Sequence, residues 1–203
     1  LFRSGHTLVQ CVTYSGHSPF IIPEESKRIS FSDKLPERLR NYMVVANYTD
    51  YAIGQFITFL RSQKKFENTM IVITGDHEGF GLTRKPLYEH ALGKDIISPE
   101  RFTPLIVLNS PVHLRYEKVM GQVDLYPTLL DLLGADDYPW RGLGESILSS
   151  GKKAFAISPQ MEIIGDTVGV STAEIQHAKD AWRVSDLIIS CDYFAHGRTG
   201  DKK

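Results

Sequence analysis

Apolar residues along this chain follow two rhythms. Unbroken runs rich in β-branched residues, "TLVQCVTYS" (7–15), "MIVIT" (70–74) and "PLIVLNSP" (104–111), have the length and composition of buried strands. "KKAFAISP", "MEIIGDTVGVS" and "SDLIISCDYF" read as further strands, and Ala173 to Trp182 fits either type. The second rhythm is helical. Met43, Val44, Tyr48, Tyr51, Ala52, Phe56, Phe59 and Leu60 recur every three or four positions, which predicts one amphipathic helix from about 40 to 63 with its aromatic residues in the core. "QVDLYPTLLDLLGADD" predicts a short helix capped by Asp124, with Pro127 in its first turn and Gly134 behind its last leucine.

Strands alternating with amphipathic helices indicate an α/β layered fold, with a parallel sheet in residues 1–150 and hairpin-like strands in 151–203. Ligands of such sheets collect beyond the carboxyl ends of the strands. Two loops are placed there: "SGHSPF" carries His17, and "TGDHEG" carries Asp76 and His77. Neighbouring parallel strands would bring both loops to one rim. The segment from 75 to 104 that follows is rich in Gly, Pro and polar residues, the composition of a functional loop.

Charge narrows the partners. The 203 residues carry 23 Lys and Arg against 24 Asp and Glu, scattered rather than clustered, so nucleic acid is not an expected partner. Two distant cysteines, Cys11 and Cys191, cannot build a disulfide framework and read as buried thiols. The opening "LFRSGHTLVQ" has no secretory signal pattern, and the chain is expected to begin inside a longer protein. No apolar run reaches the roughly 18 residues needed to span a bilayer.

"GDH" is where chemistry concentrates. A carboxylate oxygen and an imidazole nitrogen suit a divalent ion, and irregular backbone past a strand end, loosened by Gly75, can aim adjacent side chains at one point. The same dipeptide also serves as a plain turn, with Asp bonded to backbone and His in solvent.

Four segments in order, "TYSGHSPF", "MIVITGDHEGFG", "RFTPLIVLNSP" and "GQVDLYPTLLDLLGA", resemble the later part of the sulfatase-like catalytic domain of the alkaline phosphatase superfamily. Their order and spacing are most similar to the lipoteichoic acid synthase and phosphoglycerol transferase branch. The resemblance implies a layered α/β/α, alkaline-phosphatase-like fold with a mostly parallel sheet, of which residues 1–203 are the C-terminal portion, incomplete at the N-terminus. It implies that Asp76 and His77 ligate one divalent metal ion (Mn, Mg, Zn or Ca). His17 contacts the substrate's anionic head group, and His90 is a second candidate for that role; Arg84 and Lys85 read as solvated. Many relatives have Gly directly after the His, whereas this chain has Glu78 and then Gly79.

The family's nucleophile and remaining acidic ligand lie in the N-terminal half, so no catalytic nucleophile is expected here and the isolated chain is expected to be inactive. The implied partner is an anionic lipid or glycan ester, handled outside the cytoplasmic membrane by a membrane-anchored parent. A sulfatase is the alternative, marked by a Cys-x-Pro-x-Arg nucleophile that these residues do not contain. A catalytically inactive binding domain is a third reading.

Overall fold

A computed structural model describes residues 7–64, 66–79, 89, 96–97, 102–135 and 137–196. The chain divides into two compact units, 2–110 and 111–203.

In the first unit the long predicted helix forms as α1, Glu37–Ser62. Pro36 stands at its mouth, where a missing N–H costs nothing, and the chain leaves it through Lys64 in the left-handed region (φ 53). Only its first half is packed as predicted. Leu39, Val44 and Val45 are buried, and Val44 and Val45 join Phe20 and Ile22 in a cluster flanked by Phe31, Tyr42 and Tyr48. Further along, Tyr51, Phe56 and Phe59 are exposed rather than core, because helical periodicity marks a face without saying what covers it.

β1 (Ile71–Thr74) and β2 (Leu105–Leu108) form where the apolar runs predicted strands. They pair antiparallel, Ile71 opposite Leu108 and Thr74 opposite Leu105. Asn109, left-handed at φ 56, reaches back through its side-chain amide to the carbonyls of Phe66 and Thr69 (3.0 Å to the latter) and ties the end of β2 to the entry of β1. The expected strand over 7–15 does not form. Leu8, Val9 and Val12 are at least 73% exposed, and β propensity alone does not hold an extended segment that has no neighbouring strand among the described residues.

In the second unit a 3-10 turn, Gln122–Asp124, leads into α2, Leu125–Leu132, and Gly134 (φ 65) closes it. Asp124 does not cap α2 through its side chain, as the sequence suggested. It caps one turn earlier, accepting from the Gly121 amide (2.8 Å), and reaches across to the Glu145 amide (2.9 Å) and Lys152 Nζ (3.1 Å). β3 (Phe155–Ile157) and β4 (Ile163–Gly165) form the expected hairpin.

"SDLIISCDYF" is helix rather than strand. It completes α3, Thr172–Ser190, and enters a last turn, α4, Tyr193–His196. The start signal lies in "STAE": Ser171 Oγ accepts from the Glu174 amide (3.2 Å) while Glu174 Oε2 accepts from the Ser171 amide (2.7 Å), a reciprocal cap that overrides the local strand propensity. Cys11 and Cys191 are both exposed, not buried, since each lies on a segment that packs little.

Helices and strands together make this an α/β chain. The layered, mostly parallel sheet expected from the sequence is not formed by the described residues, in which both ladders are two-stranded and antiparallel.

Candidate functional site

β1 ends at Thr74, and the backbone turns through Gly75 into Asp76 and His77. Both side chains are turned to solvent, His77 at 73% and Asp76 at 88% exposure. His77 Nδ1 lies 2.8 Å from the Glu78 carbonyl oxygen. A carbonyl only accepts, so Nδ1 carries the proton and Nε2 keeps its lone pair, the tautomer a metal-binding imidazole needs. Nε2 lies 3.7 Å from Asp76 Oδ1. That separation is too long for a hydrogen bond and fits two ligands of one ion. The residues present therefore suit a divalent metal, as two members of a larger ligand set. Among the described residues no group of three or more His, Cys, Asp or Glu side chains converges.

His17 belongs to a separate turn of the same unit. Its amide donates to Tyr14 O and its carbonyl accepts from the Phe20 amide, both at 3.0 Å, which closes the "SGHSPF" loop on itself. The imidazole stacks on Tyr14, with centroids 5.9 Å apart, and Nδ1 lies 2.7 Å from Ser18 O. By the same logic Nδ1 donates and Nε2 faces outward as an acceptor, becoming a donor to an anion only when the ring is doubly protonated. Pro19 follows a cis peptide bond and Phe20 sits at φ 62 with its ring buried.

The structure thus brings Asp76 and His77 together and holds His17 on a turn of its own. His90, Arg84 and Lys85 lie outside the described residues. Asp124 is a structural group of the second unit, buried against Lys152. Tyr42, which packs against the core cluster, is not among the residues the sequence singles out, because nothing in the local pattern marks what its hydroxyl touches.

A carboxylate and an imidazole thus stand side by side just beyond the carboxyl end of a strand in an α/β chain. The family is shown by comparison: a profile of the sulfatase family matches residues 4–135, and the chain belongs to that family. It is 32% identical over 155 residues to lipoteichoic acid synthase-like YvgJ of Bacillus subtilis, covering 72% of this chain and 25% of that protein. It is 30% identical over 146 residues to lipoteichoic acid synthase of Staphylococcus aureus, covering 69% of this chain and 22% of that protein. These matches bear out the resemblance to the lipoteichoic acid synthase branch. The chain spans about a quarter of the length of these relatives.

Proposed function

We propose that this chain supplies part of the metal and head-group site of a phosphoglycerol-transferase-type enzyme, which breaks a phosphate ester bond and passes the phosphoryl group to an alcohol or to water. The observation that carries the reading is the His77 ring, locked by the Glu78 carbonyl so that Nε2 faces Asp76 Oδ1. Asp76 and His77 hold the ion, whose part when bound is to stabilise negative charge on the ester oxygens. His17 Nε2, when the ring is doubly protonated, donates to a nonbridging oxygen or to the leaving-group oxygen. His90 provides a second head-group contact. The nucleophile belongs to polypeptide outside these 203 residues. The whole domain is the layered α/β/α, alkaline-phosphatase-like fold, in a membrane-anchored parent that works on anionic lipid or glycan esters at the outer face of the cell membrane.

The test is turnover by the full-length parent of a phosphatidylglycerol head group and, separately, of an aryl sulfate, with Asp76→Asn and His77→Gln beside it. Loss of transition-state charge stabilisation lowers phosphoglycerol transfer on the order of 100-fold or more in both variants. Wild-type rates in either variant would overturn the assignment. The family's name favours a second reading, sulfate ester hydrolysis; turnover of the aryl sulfate alone would establish it, and inactivity on both substrates would leave a binding domain.

A further inference from the structure

We infer that Tyr42 is a positioning residue that fixes the "SGHSPF" turn relative to the "GDHEG" turn, so that the spacing between His17 and the Asp76-His77 pair is set by α1. The inference builds on the reading of those residues as one site, and its contacts lie within a single compact unit.

One end of Tyr42 grips the first turn. Its ring meets the buried Phe20 ring edge to face, with centroids 5.3 Å apart at 82°. Arg38, one helical turn earlier on the same face of α1, places its guanidinium 5.6 Å from the Phe20 centroid. Phe20 is three residues from His17, and its amide bonds the His17 carbonyl. Its left-handed backbone (φ 62) is a conformation that a bulky residue holds only when its surroundings impose it. Burial against α1 does so here.

The other end of Tyr42 meets the second turn at Gly79, two residues beyond His77. A Cβ added at Gly79 would stand 2.8 Å from Tyr42 Oη and 3.1 Å from Cζ, so the phenol lies against bare backbone. Position 79 takes glycine because Tyr42 occupies the space a side chain would need. A single rigid ring spans both turns, packed at its base against the core cluster of α1 and reaching with its hydroxyl to Gly79, two residues past His77.

The test measures spacing without metal and metal binding without labels. Nitroxides go on Gly16→Cys, where an added Cβ meets nothing within 4 Å, and on the exposed His77→Cys, in a Cys11→Ser, Cys191→Ser background. Paramagnetic resonance gives the distance distribution between them. A single narrow distribution is expected, retained in part by Tyr42→Phe, which keeps the ring on Phe20, and broadened in Tyr42→Leu. In the unlabelled chain, Gly79→Ala weakens Mn2+ binding about tenfold, as loss of an outer support typically does, and Gly79→Ala with Tyr42→Phe recovers part of it by removing the nearest clashing atom. A merely structural tyrosine would not give that recovery. An unchanged distribution in Tyr42→Leu, or one already broad in the parent, overturns the inference. Broadening in Tyr42→Leu with no Mn2+ binding by any form upholds the positioning and sinks the metal site instead.

Discussion

Removing the Asp124 carboxylate should cost the second unit a large part of its stability. The carboxylate is 6% exposed and meets Lys152, 8% exposed, at 3.1 Å, while it accepts the amides of Gly121 and Glu145. Asp124→Ala leaves a buried ammonium without its counter-charge, bonded only to the Lys153 carbonyl, and two amides without their acceptor. Breaking a buried pair in this way costs about 4 kcal/mol, a large share of a total fold stability of about 5–15 kcal/mol. Asp124→Asn keeps one acceptor oxygen for the Glu145 amide but loses the charge and the second acceptor, for about 2 kcal/mol. Adding Lys152→Met to Asp124→Asn removes the stranded cation and recovers part of that loss, a coupling that a double-mutant cycle reads directly. The assay is urea unfolding followed by circular dichroism, with hydrogen exchange at Gly121 and Glu145 as the local probe. A loss below about 1 kcal/mol for Asp124→Ala, or strict additivity in the cycle, would show that the pair does not organise this unit.

Four further outcomes follow from groups in the same structure. Hydrogen bonds from the Ser171 backbone and then its side chain hold the Glu174 carboxyl below the usual carboxylate range, so the α3 cap contributes stability above the ordinary glutamate value that is lost as pH falls through the depressed one; acid titration of helicity checks it. Ser171→Ala weakens the same helix by about 1 kcal/mol at neutral pH. Burial, then the charges of Asp124 and Glu145, push the Tyr116 phenol up from 10.0, so folding loses stability as pH rises from about 10 through the raised value; in Asp124→Asn the phenol ionises earlier yet still late, as ultraviolet absorbance during alkaline titration would show. The 203-residue chain alone should bind Mn2+ weakly and turn over no ester, since among the described residues only Asp76 and His77 are offered as donors; robust turnover abolished by Asp76→Asn would refute this.

What could be read from the sequence was whatever depends on local order. The helix at 37–62, the strands at 71–74 and 105–108, the hairpin after 150 and the Asp76-His77 pair each announce themselves through a few adjacent residues. What could not be read depends on neighbours. Thr7 to Ser15 has strand composition, but composition does not supply the strand it would pair with. Phe56 and Phe59 keep helical register with Val44 yet stay exposed, because burial is decided by what lies opposite. "SDLIISCDYF" differs for another reason: the helix that takes in Ser185 to Ser190 is capped well upstream, at Ser171 and Glu174, and helical cooperativity extends through a β-prone stretch.

The exposure of the Asp76-His77 pair bears on how such a site would work. Two ligands at 73% and 88% exposure bring an ion out of water only in part, so most of its coordination shell must come from other oxygens. If such a site forms, an imidazole nitrogen beside a carboxylate would suit Zn better than Mg or Ca, which prefer oxygen alone. If ester oxygens fill some of the open positions, ion and head group each raise the affinity for the other, and linkage makes the two enhancements equal. His17 then contributes through its distance from the pair, because a donor acts on the developing charge only within hydrogen-bond reach. On the positioning proposed above, that distance would be what Tyr42 governs from α1, through its contacts at Phe20 and Gly79.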